Sequence, residues 1–227
     1  MSDRLNRLRL LVGDEKITKL KNSTVMVVGC GAVGSFAIEA LARCGIGHLV
    51  LVDFDTIEIS NINRQIFALD STLKQPKALA AQERIADINP DIKVTTFNIF
   101  FDEKNAPPIH PDFVIDAIDT VESKMALYRW CNKNNIPFIS SMGAARKTDP
   151  TKIKIDKISK TFACPLAARI RKIVRNEKMS DFPVVFSTET ATAHHASDKE
   201  FGSIITVTGT FGLLAANYVI QRLINNN

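Results

Sequence analysis

Asp53, Asn61, Arg64, Lys77 and Asp119 have the types, and follow in the order, that a nucleotide-phosphate site requires. A guanidinium meets phosphate oxygens as a fork and an ammonium meets them as a point charge. Arg64 in SNINRQ and Lys77 in QPK therefore suit a polyphosphate. Asp119 closes the run FVIDAID, where a carboxylate can hold Mg2+ against phosphates, and Asn61 adds a polar group in the same connection as Arg64. Each has an ordinary alternative when taken singly. Arg64 and Lys77 are common surface charges, and Asp119 could cap the helix that follows.

The segment before them decides in favour of chemistry. Val25 to Asp55 reads VMVVGCGAVGSFAIEALARCGIGHLVLVDFD, which is an apolar strand, a glycine turn, a helix, a second strand and an acid. Gly29, Gly31 and Gly34 occupy the glycines of G-x-G-x-x-G. Gly29 would permit the tight turn, Gly31 the approach of a phosphate to the backbone, and Gly34 the close packing of helix and strand. Helix N–H groups and the positive dipole end would face that phosphate. Asp53 follows Gly34 by 19 residues, close to the spacing of a carboxylate that holds a ribose hydroxyl. The turn alone does not separate NAD from ATP. The cations and acids downstream have little use in a dehydrogenase, and the chain has no G-x-x-x-x-G-K-[ST] run.

These residues need a scaffold that places them at one edge. The spacing predicts a helical lead-in over 1–24, a helix over 35–44 with Phe36, Ala37, Ala40 and Leu41 on its buried face, and a long functional connection after Asp53. A helix from Lys77 to Ile88 follows Pro76. Strands over 92–97, 113–118 and 136–140 bracket a helix over 122–134. Alternating strands and helices predict an α/β fold: a Rossmann-like, doubly wound, mostly parallel sheet, with ligands at the carboxyl ends of its strands. Residues 151–156 and 184–187 read as strands of a smaller C-terminal antiparallel portion, 165–175 as a basic amphipathic helix, and 206–224 as a closing helix. We read 1–145 as the nucleotide-binding core and 146–227 as a basic portion that completes the same domain.

The 227 residues carry a net charge of +5, unevenly placed. From Arg146 to Lys178, eleven Lys and Arg face three acids, a local charge of +8 that leaves the remainder at −3. Such a block suits an anionic macromolecule or an ordinary solvated face, and charge alone does not choose. No apolar run reaches the length of a membrane span, and the N-terminus has no signal-peptide core, so a soluble, cytoplasmic protein is expected. Cys30, Cys44, Cys131 and Cys164 form no C-x-x-C pair, which argues against a cysteine-held zinc and for buried thiols. His194 and His195 lack an obvious third ligand, and Tyr128 and Trp130 are expected in the core or at a dimer contact.

In order and spacing, GCGAVGS, LVDFD, SNINRQ, QPK and DAID resemble the E1-like adenylyltransferases of the ThiF type, which include ubiquitin-activating enzymes and the adenylyltransferases of molybdopterin and thiamine synthesis. The resemblance covers about residues 4–145. It implies ATP and Mg2+ as cofactors, with Asp53 on the ribose, Asp55, Ser60, Asn61, Arg64 and Lys77 around the nucleotide, and Asp119 on the metal. The lead-in RLNR matches an R-x-x-R pattern, by which Arg7 would reach the partner's ATP in a homodimer. Ala32 departs from the usual glycine, a change of one methyl group. Later stretches, CPLAARIR and VFSTE among them, resemble the tRNA threonylcarbamoyladenosine dehydratase branch. That implies adenylation of the carboxylate of N6-threonylcarbamoyladenosine at position 37 of tRNA, followed by cyclisation. Arg169, Arg171, Lys172 and Arg175 would then contact tRNA. The resemblance leaves room for a sulfur-relay partner and for an alternative role, activation of a ubiquitin-like sulfur carrier.

Overall fold

The computed structural model describes residues 3–190 and 201–225. Helices α1 (Asn6–Val12) and α2 (Asp14–Lys21) precede β1 (Thr24–Val28), α3 (Gly34–Arg43), β2 (His48–Val52), α4 (Lys77–Ile88) and β3 (Lys93–Phe97). Then come β4 (Phe113–Asp116), α5 (Val121–Lys133), β5 (Phe138–Ser141), β6 (Ile153–Lys157), α6 (Pro165–Asn176), β7 (Pro183–Ser187) and α7 (Ile205–Asn225). The predicted lead-in helix is two helices, because Gly13 turns the chain at φ +86°.

All seven strands form one sheet in the order β3-β2-β1-β4-β5-β7-β6. Every pairing is parallel except that of β6 with β7. The antiparallel portion therefore continues the main sheet as its edge. The central strands are apolar almost throughout (TVMVV, HLVLV, FVID) because both faces are covered. Residues from α3, α4 and α7, such as Leu41, Ile85 and Phe211, fill the core on one face. Met125 and Tyr128 of α5 and Ile170 and Val174 of α6 fill the other. Among the described residues, no helix is long and apolar enough to cross a membrane.

The buried face of α3 differs from the expectation. Phe36 and Ala40 are half-buried, while Ala37, Ile38, Leu41 and Ala42 are fully covered. The cause is α7, which lies directly across α3. A Cβ on Gly212 would come within 2.3 Å of the Val33 carbonyl, and one on Gly209 would meet the Phe36 ring at 3.2 Å. The two tail glycines thus let the helices close on each other, with the Phe36 ring lying against α7 rather than in the sheet-facing core.

The strand order reverses between β1 and β4, which opens a crevice at their carboxyl ends. The glycine turn follows β1, Asp53 follows β2, and Asp119 lies beyond β4.

Candidate active site

The three turn glycines are required for three different reasons. Gly29 has φ +97°, and a Cβ there would lie 2.6 Å from the Ala117 carbonyl beyond β4. A Cβ on Gly34 would lie 1.7 Å from the Gly29 carbonyl, inside the turn itself. Gly31 is different: its nearest neighbour would be the Gln65 amide nitrogen at 3.8 Å, so nothing in the protein fills the space above it. That space lies at the N-terminus of α3, where backbone N–H groups point outward. We expect Gly34→Ala to cost about 1–3 kcal/mol or more from overpacking. Gly31→Ala should melt like wild type yet raise the KM for ATP. Thermal melts together with ATP titrations of the two variants check this contrast.

Asp53 is buried and ties the turn to its surroundings. One carboxylate oxygen accepts the Cys30 N–H at 2.6 Å and the other accepts the Asp55 N–H at 2.8 Å. Burial pushes this carboxyl above its usual range, against the pull of those two N–H groups and of the Lys77 charge. A carboxylate has about four lone-pair sites, so room for a ribose hydroxyl remains.

Lys77 begins α4, is buried, and pairs with the half-buried Asp55 at 2.7 Å. Its ammonium has further N–H donors for a phosphate. Arg64 donates from one nitrogen to the Ser60 carbonyl at 2.7 Å and to Asn63 Oδ1 at 2.8 Å. Asn61 is buried, and its Oδ1 accepts the Glu58 N–H at 3.1 Å, which shapes the connection that carries Arg64. The Ile66 N–H donates to Ser35 Oγ in the first turn of α3 at 3.2 Å and holds this connection beside the glycine turn.

Asp119 is exposed three residues beyond β4, and its carboxylate has no hydrogen-bond or ion-pair partner among the described residues. The N-cap of α5 is Thr120, so Asp119 does not serve as the helix cap. Arg7 is exposed on α1. Its neighbour Leu5 packs on Gly45 just before β2, at the opposite end of the sheet, so the fold does not bring Arg7 to its own chain's glycine turn. Arg169, Arg171, Lys172 and Arg175 all lie on α6, on the far side of β5 from the turn.

One constellation has no counterpart in the sequence reading. Asp116 and Lys124 form an ion pair of 2.6 Å, with both side chains fully buried. Lys124 also donates to Ser140 Oγ at 3.2 Å and to the Ser141 carbonyl at 2.8 Å. The Tyr128 hydroxyl reaches Asp116 at 2.8 Å and Ser140 at 2.6 Å. The second Asp116 oxygen accepts the Ile118 N–H at 3.0 Å, one residue before Asp119. The available signal was an acid ending an apolar strand and a Lys–Tyr pair at i, i+4 on the next helix.

Cys30, Cys131 and Cys164 are buried, Cys44 is half-buried, and all four are free. Cys164 caps α6, its sulfur accepting the Ala167 N–H at 3.4 Å. Tyr128 is a core residue, and Trp130 is half-buried with its ring 5.8 Å from Phe101. No group of three or more His, Cys, Asp or Glu able to hold a metal occurs among the described residues, and His194 and His195 lie outside them.

The site can be compared with known proteins. Bacillus subtilis tRNA threonylcarbamoyladenosine dehydratase is 47% identical over 193 residues, covering 83% of this chain and 76% of its own length. The crystal structure of the Escherichia coli tRNA N6-threonylcarbamoyladenosine dehydratase in complex with ATP superposes with a TM-score of 0.91 at 35% identity, covering 98% of this chain and 94% of that one. A molybdopterin-synthase adenylyltransferase from Haemophilus influenzae is 42% identical, but over only 56% of this chain and 52% of its own. The ThiF family pattern matches residues 3–227, and the chain belongs to the ThiF family.

Proposed function

We propose that this protein is an ATP-dependent tRNA threonylcarbamoyladenosine dehydratase. The observation that carries the reading is that similarity to dehydratases runs through the C-terminal third, whereas the match to the molybdopterin-synthase adenylyltransferase covers about half the chain. The substrate carboxylate attacks the α-phosphorus of ATP and pyrophosphate leaves. The carbamoyl group of the same side chain then attacks the acyl carbon, AMP leaves, and the net change on tRNA is loss of water. The nucleophile is already tethered to the substrate, so no enzyme thiol is needed. The burial of Cys30, Cys131 and Cys164 agrees with that. No sulfur moves, so a sulfur-relay protein is not a reactant. A tRNA-modifying enzyme of this kind belongs in the cytoplasm.

Strand order gives ATP a direction. With phosphates above Gly31 and the ribose at Asp53, the base falls toward β3, where Phe54 and Phe100 pack edge to face at 5.1 Å. The polyphosphate then runs toward Arg64, Lys77 and Asp119. The unpartnered Asp119 carboxylate fits Mg2+, which takes one or two protein carboxylates and completes its shell with phosphates and water. When bound, the ion would offset charge on the phosphates.

A homodimer accounts for Arg7. Leu10 and Leu11 on the same helix are 75% and 81% exposed, an apolar pair suited to a second copy of the chain. Mixing Arg7→Ala chains with Asp119→Ala chains tests the arrangement. Each variant alone should be inactive, and mixed dimers should regain one working site of two. Failure of the mixture to recover activity would remove Arg7 from the partner's site.

The direct test of function is AMP release from ATP and Mg2+ with tRNA carrying threonylcarbamoyladenosine, followed by nucleoside mass analysis. tRNA-dependent AMP and a nucleoside lighter by one water are expected. AMP formation with a carrier protein ending in Gly-Gly, and none with tRNA, would replace this reading.

A further inference from the structure

A cavity of about 630 Å3 lies away from the glycine turn. It lies along α6 against the segment that follows β6, and Arg171, Lys172 and Arg175 line it with a single carboxylate, Asp181. We infer that this groove is a subsite for the phosphate backbone of the RNA substrate, an inference that rests on the tRNA reading above.

The ion pairs of the basic segment sort its charges. Lys152 pairs with Asp149, and Lys154 and Lys160 pair with Asp156. Nearby, Arg129 takes up Glu177 and Glu103. Asp181 is occupied by Ser159, through its N–H at 3.2 Å and its hydroxyl at 2.6 Å. Arg171 donates from one nitrogen to the Thr161 carbonyl at 2.6 Å and to the Thr161 hydroxyl, which fixes its guanidinium in the groove wall. Lys172 and Arg175 are exposed and have no ion-pair partner among the described residues. Arg169, the fourth basic residue expected to contact tRNA, does not line this groove.

The arrangement fits a strand better than a single anion. Arg171 and Arg175 are one helical turn apart, with Cβ atoms about 5–6 Å from each other, so the cations form a row along an open groove. Ile158 and Val174 give the groove an apolar part of its wall. Position points the same way. β6 runs antiparallel to the rest and ends opposite Pro183, so the groove beyond it lies toward the amino-terminal end of the parallel strands. Four strand spacings, about 20 Å, separate β6 from β1. Only an extended polyanion can engage this row while one of its nucleotides occupies the reaction edge.

The test is the Lys172→Ala/Arg175→Ala double variant of the full chain, compared with wild type and with Lys93→Ala/Lys104→Ala, which removes equal charge at or near the opposite edge of the sheet. tRNA affinity is measured across a salt series beside the KM for ATP. The groove variant should bind tRNA more weakly, and its slope of log K against log salt should flatten by about 1.5 to 2. The KM for ATP should not change, and the far-edge variant should match wild type. Equal slopes in groove variant and wild type, or equal losses in the two variants, would overturn the proposal. Groove-dependent binding without tRNA-dependent AMP release would instead sustain the RNA contact and overturn the dehydratase reading.

Discussion

Asp119→Ala should lower tRNA-dependent AMP formation by at least about a hundredfold while leaving the melting temperature of wild type unchanged. The first half follows from charge. ATP chemistry concentrates negative charge on the phosphates, and Asp119 is an exposed acid three residues beyond β4 with no protein partner among the described residues. The second half follows from exposure, since a surface substitution away from caps and ion pairs stays within about ±0.5 kcal/mol. Thr120, not Asp119, occupies the N-cap of α5, so no helix end is lost. Asp119→Asn keeps the shape without the charge and should be equally impaired. An Asp119→Ala protein with wild-type turnover would end the metal-binding role assigned here.

The second large effect is expected at a buried ion pair that is assigned no ligand contact. Lys124→Ala leaves the fully buried Asp116 carboxylate without its ion-pair partner, which costs about 3–5 kcal/mol. Burial, and then the Asp116 charge, push the Tyr128 hydroxyl well above its ordinary pKa, so it stays protonated and able to donate. The Tyr128 and Ser140 hydroxyls on Asp116 carry no charge and do not replace an ammonium that makes three polar contacts. Asp116 also holds the Ile118 N–H, so the loss should loosen the loop that carries Asp119. A Lys124→Met/Asp116→Asn double variant removes both charges and should recover most of the stability. Denaturant melts of the two proteins decide the matter. A Lys124→Ala protein with a wild-type midpoint would show that the buried pair contributes nothing.

The glycine-turn half of the candidate site was legible because its determinants are local. The glycine turn and the acid after the next strand are set by spacings within one strand–helix–strand unit, and the cation opens the helix that follows it. The structure puts Cys30 of the turn, Asp53, Asp55 and Lys77 on one chain of contacts. The Asp116–Lys124 pair was not legible, because it joins the end of β4 to the inward face of α5 and a lysine in a helical pattern ordinarily reads as surface. The α6 cations were visible as charge. Which of them share a groove depends on how α6 packs against the segment that follows β6.

By itself the sequence determined the alternation of strands and helices, the glycine turn at the strand ends, and the family resemblance, all of which depend on residue type at short range. Only the tertiary structure decided that β6 and β7 extend one sheet, that Gly209 and Gly212 let α7 close on α3, and that Lys172 and Arg175 face a groove without ion-pair partners. Those outcomes depend on close approach between segments distant in the chain. Local patterns of polarity and period carry no record of which distant segment will arrive.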